Sequence, residues 1–155
     1  MIKVDVLVKS RGWTKYIKNP NNYLNNKLKR AEKKIGIFKK NKLQFTLLLS
    51  DCNEIKKLNK KFRNKNKITD ILSFPFYEKN ILYKLLRKKQ TSIYLGDIIV
   101  NLDKIIKKSK KESFNIVFDK IWIHGLVHLL GYRHKSNQDF SVMQKLENKI
   151  IKSLQ

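Results

Sequence analysis

All three histidines of this 155-residue chain, His124, His128 and His134, fall within one short stretch, Ile123-His124-Gly-Leu-Val-His128-Leu-Leu-Gly131-Tyr-Arg-His134. A separation of four residues sets His124 and His128 one turn apart on the same helix face, about 6 Å along the axis. Gly131 then supplies a residue able to stop the helix in a left-handed conformation, so that the chain reverses and delivers His134. Three neutral imidazole nitrogens with no fourth protein ligand nearby match a zinc site that keeps one position open for water. The plainer alternative is three unrelated packed or polar histidines. For one histidine that alternative would win; three at this spacing favour the metal.

The remaining bulk features set the frame. The length fits one domain, residues 1–155, with enough chain to bury a sizeable core. Hydrophobic residues at 41% and charged residues at 31% read as globular rather than disordered. No apolar run approaches the roughly 20 residues that cross a bilayer. Met1 to Val8 alternates like a strand instead of offering a signal peptide's apolar core. Cys52, the lone cysteine, has no internal disulfide partner, as expected in a reducing cytoplasm, and reads as a small packed residue. With 36 Lys+Arg against 12 Asp+Glu the net charge is +24, a field that attracts polyanions such as RNA. Richness in Lys, Asn and Ile, whose codons are A/T-rich, is a second source for that excess.

Periodicity predicts four strands. These are residues 2–8, a dense apolar run at 43–49 covered on both faces, 71–76 with Pro75 marking an edge or exit, and 93–100 interrupted at Gly96-Asp97. Helices are expected from Pro20 to Ile35 (stopped by Gly36), after an N-cap at Ser50 or Asp51, and around Leu102–Ile106. Two more run from Phe114 to Leu130 and from Gln138 to Ser153. Residues 77–92 read as a loop or short helix. The Phe114–Leu130 segment is apolar nearly all round and so is the buried central helix. The fold class is α/β, with an α+β-like character: a single compact domain whose metal-ligand helix is central and buried, with about five helices around the sheet.

A metalloprotease helix of the His-Glu-x-x-His kind places its general base directly after the first histidine. Here that position is Gly125, which argues against such a protease. A mid-helix glycine costs roughly 1 kcal/mol relative to alanine, so close approach of a packed element or of substrate is expected there. Water activated at a three-histidine zinc, within a basic surface, points to a phosphodiester electrophile.

The segment from His124 to His134 is similar to the signature H-G-x-x-H-L-x-G-Y-D-H of the YbeY family of bacterial ribosomal-RNA maturation factors. Leu58-Asn59-Lys-Lys-Phe62-Arg63, followed by Thr69-Asp70-Ile-Leu-Ser73-Phe74-Pro75, resembles that family's L-N-x-x-y-R and T-D-V-L-S-F-P block, and Leu95-Gly96-Asp97-Ile98 its L-G-D-I strand. These blocks span roughly residues 42 to 150. The resemblance implies a metal-dependent endoribonuclease acting on single-stranded rRNA, in 16S 3′-end maturation, small-subunit biogenesis and ribosome quality control. It implies a mixed, mostly parallel four-stranded sheet with a cleft leading to the metal. It makes His124, His128 and His134 the ligands of one zinc ion and Arg63 the cation that meets the scissile phosphate. The implied partners are the 30S subunit or 70S ribosome and ribosomal proteins or assembly factors, in the cytoplasm, with no membrane.

Arg133 stands where the family has Asp, which bears on metal affinity or adds to phosphate attraction; an outward-pointing loop residue is the simplest reading. Asp97 is a candidate for proton transfer against a structural role beside Gly96. Thr69 and Asp70 read as strand braces. Trp122, Phe114, Phe118 and Tyr132 read as core, with Tyr132 also placed to stack on a base. Arg87 to Lys89 and Lys107 to Lys111 are candidate RNA-tracking runs or solvated faces. Three-nitrogen sites also accept nickel, copper or iron. A non-catalytic rRNA-binding assembly factor with a structural metal is the alternative function.

Overall fold

The computed structural model describes residues 1–88 and 92–155. Its strands are β1 (Ile2–Val8), β2 (Leu43–Ser50), β3 (Ile71–Pro75) and β4 (Ile93–Asn101). They form one sheet of order β1-β2-β4-β3, parallel except for β3, which runs antiparallel to β4. Among the described residues seven α-helices pack around it, where about five are expected. They are α1 (Pro20–Lys34), α2 (Gly36–Lys40), α3 (Cys52–Arg63), α4 (Lys79–Arg87), α5 (Leu102–Lys108), α6 (Phe114–Leu129) and α7 (Asn137–Ser153). The additional two are α2, too brief to show a helical period in sequence, and α4, which lies in the segment read as a loop or short helix.

Gly36 does not terminate α1. The helix stops because Ile35 turns extended (φ −106°, ψ 112°), and Gly36 opens the next helix. Positive-φ glycines occur instead at Gly96 and Gly131. At Gly96 (φ +130°) a Cβ would stand 2.1 Å from the Phe74 carbonyl oxygen, so only glycine fits. Gln44 pairs with Tyr94 while Thr46 pairs with Asp97, so β4 carries one extra residue there. This bulge shifts the buried set from Ile93 and Leu95 to Ile98 and Val100. That shift is the physical reason the alternation breaks at Gly96-Asp97.

One sheet face carries the main core. Val4, Phe45, Leu47, Leu49, Ile98 and Val100 meet the apolar sides of α1, α6 and their neighbours. On the other face α3 covers only one end, where Ile55 packs on Leu72 and Ile99. Gln44, Thr46 and Leu48 of β2 therefore stay half-buried; the expected covering of both faces is complete on one and partial on the other.

The sheet's two edges are closed differently. At β1 the Asn25 amide accepts from Val4 N–H (3.2 Å) and donates to Val4 C=O (3.1 Å), standing in for a further strand. At β3, Pro75 removes one donor and side chains occupy two carbonyls, as described below.

Asp119, buried in α6, joins α1 to α6. It accepts from Tyr23 O–H (3.1 Å) and Trp122 Nε1–H (3.0 Å) and pairs with Lys27. Burial raises the Tyr23 pKa first, and the adjacent Asp119 carboxylate raises it further. The folded pKa thus lies above the unfolded value of about 10. Its contribution to stability is complete below that pH and is lost as pH rises toward the folded value. Unfolding free energy from urea titrations is expected to decline above pH ~10, and less steeply in Tyr23→Phe. An identical alkaline slope in the two proteins would exclude this role.

Candidate active site

Every residue of α6 and its cap from Ile121 to Leu130 is buried except His124 and His128. These two interrupt an otherwise apolar surface on one side, facing the free edge of β3. The helix then ends as its glycine predicts. Gly131 (φ +87°) donates N–H to His128 O (2.9 Å), and Tyr132 donates N–H to Val127 O (3.2 Å). This pair of bonds is the Schellman arrangement. Tyr132 C=O, turned back by it, accepts from His128 Nδ1 at 2.9 Å. The same turn that stops the helix therefore orients the second imidazole. The exposed loop beyond it brings His134 alongside, with ring centroids 5.7 Å from His124 and 5.1 Å from His128.

The three imidazoles offer nitrogens that all lie within 4.8 Å of one another. His124 Nδ1 donates to Glu147 Oε1 at 2.7 Å, and His128 Nδ1 to Tyr132 O. Carboxylate and carbonyl oxygens only accept, so both rings carry a proton on Nδ1, and each ring in its neutral form turns the lone pair of Nε2 inward. Those two Nε2 atoms face each other at 3.1 Å. At that distance two lone pairs repel unless a shared proton or a metal ion lies between them. Nitrogens sharing one tetrahedral ion at ~2.0–2.1 Å stand about 3.4 Å apart, so this pair is spaced for common ligation. His134, on its exposed loop, brings a third nitrogen within 4.8 Å of the other two. Burial lowers the His128 pKa, and the neighbouring His124 and His134 lower it further, against the opposing effect of its bond to Tyr132. Both lowering causes favour the neutral ring that a metal requires.

Gly125 explains how these histidines come to lie at the sheet. A Cβ there would meet Ile71 Cδ1 at 2.7 Å, Ile98 Cγ2 at 2.9 Å and Ser73 Oγ at 3.0 Å. Of the two expected causes for the glycine, a packed element is the one found: α6 presses on β3 and β4.

The cleft, about 520 Å³, is lined by the three histidines, Arg63, Thr69, Asp70, Ile71, Ser73 and Pro75, together with Tyr132, Arg133 and Lys135. Arg63, the last residue of α3, donates from Nη2 to Ser73 O (2.9 Å), and its guanidinium carbon lies 5.4 Å from the Phe74 ring centre. Only part of its donor fork is thereby used. Thr69 Oγ1 donates to Ile71 O at 3.3 Å, and Asn101 N–H and Nδ2 hold Asp70 O and Thr69 O, fixing the loop into β3. Asp70 pairs with Lys108. Burial pushes the Asp70 carboxyl up, but the Lys108 ammonium and local hydrogen bonds outweigh it, holding it below the usual range. Thr69 and Asp70 thus brace the strand at the cleft rim, as expected.

Other sequence candidates lie elsewhere. Asp97 is exposed, accepts from Tyr94 O–H at 2.7 Å and does not line the cleft; it belongs to the bulge. Trp122 and Phe118 are fully buried. Tyr132 packs on the core and lines the cleft, so it forms wall rather than a free stacking platform. Arg133 is exposed and lines the cleft. Of the Lys107–Lys111 run, Lys108 reaches the rim through Asp70; Lys89 of the Arg87–Lys89 run lies outside the described residues. Glu147 was not singled out in the sequence. Its signal was a carboxylate on the apolar stripe of α7, between Met143 and Ile150.

The family model of endoribonuclease YbeY matches residues 8–155. The chain belongs to the YbeY family. A Pelagibacter ubique protein named endoribonuclease YbeY is 43% identical over 155 residues, covering 98% of this chain and 95% of its own length. A Buchnera aphidicola protein of that name is 44% identical over 124 residues, covering 78% of this chain and 74% of its own. The solution structure of a Thermotoga maritima protein superposes with a TM-score of 0.62 at 23% identity, covering 99% of this chain and 89% of that one, which supports the fold. Among the described residues no helix is long and apolar enough to cross a membrane.

The Gly125 contact has a measurable consequence. Gly125→Ala gains about 1 kcal/mol of helix propensity but overpacks the interface by ~1–3 kcal/mol. Ile98, being β-branched, cannot rotate aside freely. A melting temperature lower by a few degrees, read by circular dichroism, is expected; an equal or higher one would contradict the close packing.

Proposed function

We propose that this protein is a zinc-dependent endoribonuclease that cuts single-stranded ribosomal RNA. One ion would be held by His124, His128 and His134, with Arg63 gripping the scissile phosphate. The observation that supports this most is the convergence of three inward-turned imidazoles and a braced guanidinium on one cleft, in a chain whose relatives are named endoribonuclease YbeY. A zinc ion bound there would supply Lewis acidity and lower the pKa of water.

The chain's own residues do the rest. Arg63 is held by Ser73 O and the Phe74 ring, so little freedom remains to be lost when it forks onto two phosphate oxygens. Arg133 and Lys135 add positive charge at the mouth and oppose the charge that grows on those oxygens during cleavage. Asp70 is the only carboxylate among the described lining residues, and Lys108 neutralises it, so a polyanion meets no net repulsion. The +24 charge of the chain draws RNA in. The context we assign is 16S 3′-end maturation, small-subunit biogenesis and ribosome quality control. The assigned partners are the 30S subunit or 70S ribosome and its proteins or assembly factors, in the cytoplasm.

The test incubates metal-loaded wild type, His128→Ala and Arg63→Ala with a single-stranded 16S 3′-end precursor, all matched for folding by circular dichroism. Chelation and His128→Ala are each expected to abolish cleavage. Arg63→Ala is expected to lower it roughly 10²–10³-fold, the usual cost of one preorganised donor. Cleavage that survives rigorous chelation would end this mechanism. Full rRNA maturation in cells carrying Arg63→Ala would favour a non-catalytic assembly factor.

A further inference from the structure

We infer that Glu147 of α7 is a positioning residue for the metal centre: its carboxylate locks His124 in the Nδ1–H tautomer and provides the countercharge beside the donor set. The inference rests on the metal-site reading above and goes beyond it in naming what makes the site competent in so basic a chain.

Geometry carries the first part. Glu147 Oε1 lies 2.7 Å from His124 Nδ1, and a carboxylate has no proton to give to a neutral ring. The ring therefore donates from Nδ1 and offers Nε2, which faces His128 Nε2 at 3.1 Å. His128 has its own orienting acceptor in Tyr132 O. The two helix-borne ligands are thus held by different elements, one by the turn after α6 and one by α7. Glu147 is absent from the cleft lining, and its side chain is only 21% exposed. It acts through His124 and does not meet RNA.

Charge carries the second part. A divalent cation entering this cleft meets Arg63, Arg133 and Lys135 in a molecule of charge +24. Asp70 is already neutralised by Lys108. Among the described residues no Lys or Arg forms an ion pair with Glu147, whose close partner is the His124 ring, so its negative charge remains available to the site. Carboxylate–histidine pairs of this kind also raise ligand basicity, and their loss typically costs 10–100-fold in metal affinity.

The experiment uses pure, full-length apo protein. Zinc affinity is measured by competition with a chromophoric chelator for wild type, Glu147→Ala, Glu147→Gln and His128→Ala. Imidazole tautomers are read from long-range proton–nitrogen NMR correlations without metal. Glu147→Ala is expected to bind zinc 10–100-fold more weakly and to shift His124 toward Nε2–H. Glu147→Gln, isosteric and still an acceptor through its amide oxygen, is expected to keep the tautomer and lose a smaller part of the affinity. It carries the test should the alanine variant fail to fold. Zinc affinity within twofold of wild type in the folded Glu147 variants, while His128→Ala is weakened, would overturn this inference and leave the metal site standing. Wild-type affinity in His128→Ala would overturn the metal site itself.

Discussion

The site depends on how closely α6 sits on β3 and β4, a distance set at Gly125. With no side chain there, Ile71, Ser73 and Ile98 approach to within what would be 3.0 Å of a Cβ. Because β3 is an edge strand, the helix face beside that contact opens into a cleft instead of being covered by another strand. Ser73 joins the two halves of the site. Its hydroxyl lies against Gly125, and its carbonyl, on the free edge, accepts from Arg63. The separation between guanidinium and imidazoles is therefore fixed by one short, well-paired strand. Groups held this way lose little freedom when they engage a substrate.

A second constraint is electrostatic. A strongly basic surface attracts RNA and repels the cation that a three-histidine site could hold. The two demands are reconciled by local pairing. Lys108 cancels Asp70 on the rim, where RNA would pass, while Glu147 stands behind His124, away from the cleft. Coulomb energy falls with distance and with dielectric. A half-buried carboxylate touching a ligand ring therefore matters more to the metal than distant surface lysines screened by salt.

Much of this was legible in the residues. The alternating segment at 2–8 and the apolar runs at 43–49, 71–76 and 93–100 became strands, and the apolar run from Phe114 became the buried central helix, because hydrophobic period and secondary structure share one geometric cause. His124, His128 and Gly131 behave as their spacing predicts, since one helical turn and one left-handed residue involve only near neighbours. Gly36, read as a stop by the same rule, is instead the start of α2; a glycine permits a left-handed turn without requiring it. The bulge at Gly96 turned Asp97 away from the cleft, and a single inserted residue leaves only a break in alternation to announce it. Glu147 was missed because charged positions on a helix such as α7 ordinarily face water; its place on the apolar stripe marks it as turned inward, but nothing local names the histidine 23 residues away that it meets.

By itself the sequence determined the elements, the helix that carries two imidazoles and the turn that returns a third. Each of these follows from dihedral preferences and hydrophobic spacing within a few residues. Tertiary structure alone decided which strand edge those imidazoles face, that Arg63 reaches the same cleft from the far side of the sheet, and which carboxylate stands behind His124. Those relations join residues far apart in the chain. They exist only once the core has packed, because burial of the apolar faces, and not any local preference, brings α3, α6 and α7 together at one edge of the sheet.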